Sequence, residues 1–233
     1  MRAVRSSAAT FAAMAAIATI TALGSLGCAA SEALGRVCEG GCDSGTSCVV
    51  GRCRAIDEAP AAIDARRVIL APSDVAVIAA AGASSLGEGV PETIALGRAG
   101  GGTVALLLRF AASWRDDAEV LSAFVILDPI ESAPPAALPA VFESARILEP
   151  WQPTVVSWGR QPRLDLPRLA AVIRAIPGTP VRVDVTALVR AWSSRRADDH
   201  GLALLVHGDD RIGSAFSMGV TGGAGPRLEA YVR

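Results

Sequence analysis

Five cysteines carry the most evident chemistry in this chain, and their spacing separates one from four. Cys38, Cys42, Cys48 and Cys53 form the cluster C-x3-C-x5-C-x4-C amid Gly, Asp and Ser. An even set in a stretch too short to bury a core reads as two disulfides, because cross-links must supply the order that burial cannot. Three pairings are open to four cysteines; first-to-third with second-to-fourth is preferred, since it interlocks the loops. A structural zinc site also uses four cysteines, but usually as two close pairs with a long spacer, whereas these are evenly spread. No metal is assigned to them.

Cys28 stands apart. Arg2 and Arg5 precede an uncharged run from Phe11 to Leu26, which ends in Gly24-Ser25-Leu26-Gly27-Cys28. A positive start, a short apolar centre and small residues make an export signal. The run is shorter than the ~20 residues a membrane helix needs. Its end resembles a bacterial lipobox, which implies cleavage after Gly27 and lipidation of Cys28. The other reading is an ordinary cleaved signal, with Cys28 removed or free. The expectation is export, with a lipid anchor to the bacterial cell envelope at the outer membrane or cell surface.

Other reactive groups are sparse. His200 and His207 lack any paired-histidine spacing, and no HExxH is present. Asp116-Asp117, Asp198-Asp199 and Asp209-Asp210 are loop carboxylates of the kind calcium prefers. Six to eight oxygens must converge on that ion, and only pairs are visible. Adjacent aspartates are also common turn formers. No cofactor is therefore expected, structural Ca2+ being the one ion these loops would suit. There is no GxSxG elbow, P-loop or dinucleotide fingerprint, and Gly100-Gly101-Gly102-Thr103 lacks a phosphate-holding lysine. Nothing singles out the facing carboxylate pair of a glycosidase. The chain reads as a non-enzyme.

Binding remains. Sugar rings offer apolar C–H faces that stack on exposed aromatics, and aromatics are only 4% here, so the candidates are few. They are Trp114, Trp151, Trp158 and Tyr231. Trp192 lies on a helical apolar stripe and is expected in the core. Tyr231 alternates with Leu228, Ala230 and Val232 and should face outward. Trp114 falls in the polar stretch Ser113-Trp114-Arg115-Asp116-Asp117, where a large ring has little core to join. The expected ligand contacts are Trp114, Arg115 and Tyr231.

The elements that must hold these groups are mostly strands. Val181, Val183 and Val185 alternate with Arg182 and Asp184. Leu202, Leu204 and Val206 repeat that period, as do Val104, Leu106, Leu108 and Phe110. The nearly all-apolar run Val120 to Leu127 suits a central strand covered on both faces. Val185, Leu188, Val189 and Trp192 form one helical stripe after Asp184 or Thr186, either able to cap it. Residues 165 to 176 suggest a second short helix, with Leu166, Leu169, Ala170 and Ile173 inward. Short turns and few helices argue against a βαβ fold. A net charge of −1 gives no pull towards nucleic acid. Apolar content of 51% excludes a disordered chain.

In order and interval, the segments Leu106–Phe110, Thr154–Trp158 with Pro162, Val181–Trp192, Gly201–Val206, Ala215–Met218 and Gly225–Val232 resemble the DNRLRE domain family. That family comprises β-sandwiches of bacterial surface and secreted proteins and includes carbohydrate-binding modules. The resemblance covers roughly residues 67 to 233. It implies an all-β, jelly-roll-like antiparallel sandwich with one or two short helices, and binding rather than catalysis; Trp158 matches the family's strand Trp, which implies a place in the core. Where the family has Asp after the Arg-Phe strand this chain has Ala111, and Gly159-Arg160 replaces its Asn residues after the Trp158 strand.

The expected plan is a signal peptide over 1–27, a lipidated tether over 28–37, a disulfide knob over 38–53, a linker over 54–66 and the sandwich over 67–233. The expected function is non-catalytic binding of an extracellular or envelope polysaccharide by a membrane-tethered module. The alternative is a structural or protein-interaction envelope lipoprotein with no glycan ligand. Oligomeric state and the identity of the glycan are not legible in the residues.

Overall fold

Alternating apolar residues give this chain strands with one face to bury, and two such sheets bury their faces against each other. The computed structural model describes residues 38, 41–56, 64–80, 90–99, 102–130, 140–165, 169–173, 179–194, 199–207, 215–220, 222 and 224–233. The export signal, Cys28, Asp198 and Asp209-Asp210 lie outside those residues. A six-stranded antiparallel sheet runs in the order β10 (Leu169–Ile173), β9 (Ala140–Arg146), β12 (Leu202–His207), β7 (Gly102–Arg109) and β4 (Asp74–Ala79). The short β6 (Gly97–Ala99) also pairs with β7. A four-stranded antiparallel sheet runs β11 (Val181–Asp184), β8 (Val120–Leu127), β14 (Arg227–Val232) and β3 (Arg66–Leu70). A further small pair joins β13 (Ala215–Ser217) to β5 (Thr93–Ala95). The chain crosses repeatedly between the large sheets, as a jelly-roll-like sandwich does.

The main core lies between those sheets. Val104, Leu106 and Leu108 of β7 and Leu202 and Leu204 of β12 meet Ala123, Val125 and Leu127 of β8, with Val181, Val183, Leu228 and Ala230. Those of β7, β11, β12 and β14 are the residues whose period of two marked one face of each strand. The alternate residues are buried as well. Ala105, Leu107, Ala203 and Leu205 point to the other side of the six-stranded sheet, into a second apolar cluster with Ile147 and Trp151. A strand covered on both sides needs apolar residues throughout, which is why β7 and β8 read as continuous hydrophobic runs.

One helix is present among the described residues, α1 (Thr186–Ser193), and it stands where the sequence placed it. Asp184 accepts the Thr186 N–H at 2.9 Å, and the Thr186 hydroxyl turns to the sandwich, accepting the Ala123 N–H at 2.9 Å. Val189 and Trp192 enter the main core. Arg190 anchors the helix by donating to the carbonyls of Val120 and Leu121 at 2.7 and 2.8 Å.

Two local expectations are corrected. Leu169–Ile173 is strand β10, paired with β9 from Leu169↔Ser144 to Ile173↔Ala140, and is not helical. The run Leu-Ala-Ala-Val-Ile satisfies both periods, and the open backbone edge of β9 decides between them. Thr154–Trp158 is a turn region with one isolated bridge, Ser157↔Arg160, and is not a sheet strand. Its β-branched residues belong to a loop packed on the sheet.

The cysteine segment forms a hairpin of β1 (Thr46–Val49) and β2 (Arg52–Ala55), with Cys48 opposite Cys53. Its two-residue turn, Val50-Gly51, has φ of 46° and 82°, the positive values that tight hairpins require. Cys38 pairs with Cys48 and Cys42 with Cys53, at Cα separations of 5.7 and 5.5 Å. The interlocked pairing is therefore the one adopted.

Candidate functional site

Each large sheet has an outer face, and each is covered by a piece of chain that brings polar groups with it. The cysteine hairpin docks on the outer face of the four-stranded sheet. Phe124 of β8 is fully buried there, although it points away from the main core. Arg52 of the hairpin stacks over the Phe124 ring at 5.7 Å and ion-pairs with Asp184. Arg182 stacks on the same ring at 5.2 Å. The Ser122 hydroxyl donates to the Val50 carbonyl, and a Cβ on Gly51 would overlap the Phe124 ring. Burial lowers the pKa of Arg52, with Arg54 and Arg190 adding repulsion. Its partnership with Asp184 compensates a charge that would otherwise be costly in this place.

Glu229 completes this face. It is 2% exposed and accepts from Arg182, from Arg67 Nε at 3.0 Å and from the Tyr231 hydroxyl at 3.0 Å. Removing its charge takes one carboxylate from guanidinium groups that are partly buried. Arg67 is half open to water, which screens part of that loss. Glu229→Gln should therefore cost about 1–2 kcal/mol in urea unfolding, and a neutral result would mean the cluster contributes nothing net.

The expected ligand residues are not brought together. Trp114 is 3% exposed and belongs to the main core, its Nε1 donating to the Ser193 hydroxyl at 3.3 Å. It is a packing residue and not an exposed platform. The polar stretch around it hid this, because the core it joins is made by the distant helix α1. Arg115 is exposed and forms a two-pronged pair with Asp117, both contacts at 3.0 Å. Tyr231 faces outward as expected, but its hydroxyl is engaged by Glu229 on the outer face, across the sheet from Trp114. Trp192 is core as expected. Trp158 is half-buried in the second cluster, outside the sandwich interior.

The second face carries the more open site. A loop from Leu148 to Arg163 crosses the outside of the six-stranded sheet, its ends joined by Leu148 N–H to Arg163 O at 2.9 Å. Arg163 N–H also donates to Glu149 at 2.8 Å. Trp151 pins the loop near its start: its Nε1 donates to the His200 carbonyl at 2.7 Å, and Arg109 stacks on its ring at 5.1 Å. Arg109 also donates to the Trp151 carbonyl at 2.8 Å and pairs with Asp74 at 3.3 Å. A compact surface loop with joined ends and its own packed side chains is an Ω-loop, a type often used for function.

This loop encloses an open depression of about 410 Å3, within the size range of small-ligand sites. Pro150, Pro162, Val155, Val156 and Trp151 are its apolar lining residues. Glu149, Gln152, Arg160 and Gln161 offer both donors and acceptors around it. Sequence reasoning named Trp151 as a candidate but missed the depression. The available signal was the cluster of Trp, Pro and Gln between Glu149 and Pro162, too polar and proline-rich for a strand.

Among the described residues, three that could share a metal are Cys38, Cys42 and Cys53, and all three are in disulfides. Asp199 accepts the Gly201 N–H at 3.0 Å and acts there as a turn residue. No protein-family model and no curated protein matches the chain.

Proposed function

We propose that this is an exported, lipid-anchored envelope protein, non-catalytic, whose sandwich binds a segment of polysaccharide in the Ω-loop depression. The observation that carries the reading is the composition of that depression: apolar lining residues together with two amides, a guanidinium and a carboxylate, on a loop pinned to rigid strands. Such a surface suits a sugar, which presents an apolar face and a rim of hydroxyls. The DNRLRE resemblance of residues 67 to 233 and the lipobox-like Gly24–Cys28 supply the class and the address. The lipid would tether the module, and the ligand would be held without bond cleavage.

The test is affinity electrophoresis of the exported chain, with its cysteine hairpin intact, through gels containing single polysaccharides. Retardation by one glycan should weaken about tenfold in Arg160→Ala, the loss of one charged hydrogen bond. Arg160 is exposed, so the variant should keep its fold. Retardation unaffected by Arg160→Ala and Gln161→Ala together would move the site elsewhere.

A structural or protein-interaction role is the second reading, favoured by edge strand β3. Ile69 there is 51% exposed, on a strand whose outer edge has no partner among the described strands. Sheet edges of this kind accept an added strand. A folded chain that ignores every polysaccharide supports this reading over the first.

A further inference from the structure

The two disulfides of the hairpin are unequally placed. Cys48 is exposed on β1, Cys38 and Cys42 are half-buried, and Cys53 on β2 is 9% exposed, next in sequence to the docked Arg52. The sulfur atoms of Cys38, Cys42 and Cys53 all lie within 4.8 Å of one another. A thiolate released at Cys38 would therefore sit beside the other disulfide. Thiol–disulfide exchange needs that proximity and an accessible sulfur for the first attack.

We propose that the hairpin is a thiol-exchange site, attacked at Cys48 by a small thiol and relayed through Cys38 to the Cys42–Cys53 bond. In the first step an external thiolate bonds to Cys48 Sγ, and the electron pair of the Cys38–Cys48 bond leaves on Cys38 Sγ. In the second, the Cys38 thiolate bonds to Cys42 Sγ and the pair of the Cys42–Cys53 bond leaves on Cys53 Sγ. Cys42 is the less buried residue of that bond, which sets the direction. If the reagent is a dithiol, its second thiolate displaces Cys48 and departs as a cyclic disulfide. The protein has then gained two electrons and two protons, with Cys48 and Cys53 as thiols and a new Cys38–Cys42 bond.

The relay ends where the hairpin grips the sandwich. In the starting state Cys53 ties β2 to the preceding loop, and β2 presents Arg52 to Phe124 and Asp184. Moving the cross-link to Cys38–Cys42 takes both covalent ties off the hairpin strands. Docking and the starting pairing must then favour each other reciprocally, because each stabilises the same hairpin geometry. The exchange thus reports on, and loosens, the cover of the Phe124 face.

Acid quenching, alkylation and peptide mass mapping after brief exposure to glutathione test the first step on the unaltered protein. The adduct should fall on Cys48 at least about tenfold more often than on the other three, following access. A first adduct on Cys38 or an even spread overturns the proposal. The Cys48→Ser variant leaves Cys38 free without any external thiol and tests the relay. It should contain molecules with a Cys38–Cys42 bond and Cys53 alkylated, in a share that rises when Arg52→Ala is added. Alkylation confined to Cys38, with Cys42–Cys53 retained, would refute the relay.

Discussion

Phe124→Ala is expected to destabilise the protein by about 3–5 kcal/mol, the usual range for deleting a fully buried aromatic ring. The ring is buried although it lies outside the space between the sheets, because the hairpin covers it. Its loss opens a cavity under Gly51 and takes the stacking surface from both Arg52 and Arg182. Urea unfolding would measure the total. Hydrogen exchange would locate it: amides of Thr46–Ala55 should lose protection while those of Gly102–Arg109 and Leu202–His207 keep theirs. A loss below about 1 kcal/mol would mean that the hairpin is not packed on this sheet, since no buried ring is so cheap to remove.

Gly201→Ala should be comparably severe, at about 3–5 kcal/mol, by a different mechanism. Gly201 has φ of 90°, a conformation that strains any residue with a Cβ. The added carbon would also overlap the Leu108 carbonyl oxygen, with the Arg109 Cα only 3.0 Å away. Backbone in a central strand cannot retreat as a side-chain tip can, so overpacking adds to the strain. The displacement would spread, because Gly201 O accepts the Ile147 N–H and the neighbouring His200 carbonyl holds Trp151. Thermal unfolding with binding assays at the Ω-loop would detect both effects. A variant as stable as the parent would show that this turn is free to move.

Architecture was legible from the residues to the extent that a single face or stripe determined it. The valines of 181–185 and the leucines of 202–204 align one side of each strand, and those sides meet in the main core. Val185, Val189 and Trp192 share a helical stripe and are buried together. Trp114 shows where that logic stops. Its neighbours Ser113, Arg115, Asp116 and Asp117 are polar, and local polarity pointed to the surface. The ring is buried because α1, more than seventy positions later, closes over it and offers Ser193 as an acceptor. Leu169–Ile173 shows the same limit from the other side: a pattern that fits both periods takes the form its neighbour β9 imposes.

By itself the sequence determined the all-β class, the position of α1, one inward face in each of β7, β11, β12 and β14, and the presence of a compact four-cysteine unit. Those properties follow from side-chain periodicity and covalent spacing, which are local. Only the tertiary structure decided that the cysteine hairpin lies against Phe124, that Glu229 gathers Arg67, Arg182 and Tyr231, and that Glu149–Pro162 forms a depression pinned by Arg109 and His200. Each of those depends on groups far apart in the chain, such as Arg52 and Asp184, separated by 132 positions. Burial and pairing at such distances depend on which surfaces meet, and no local pattern in the residues specifies that meeting.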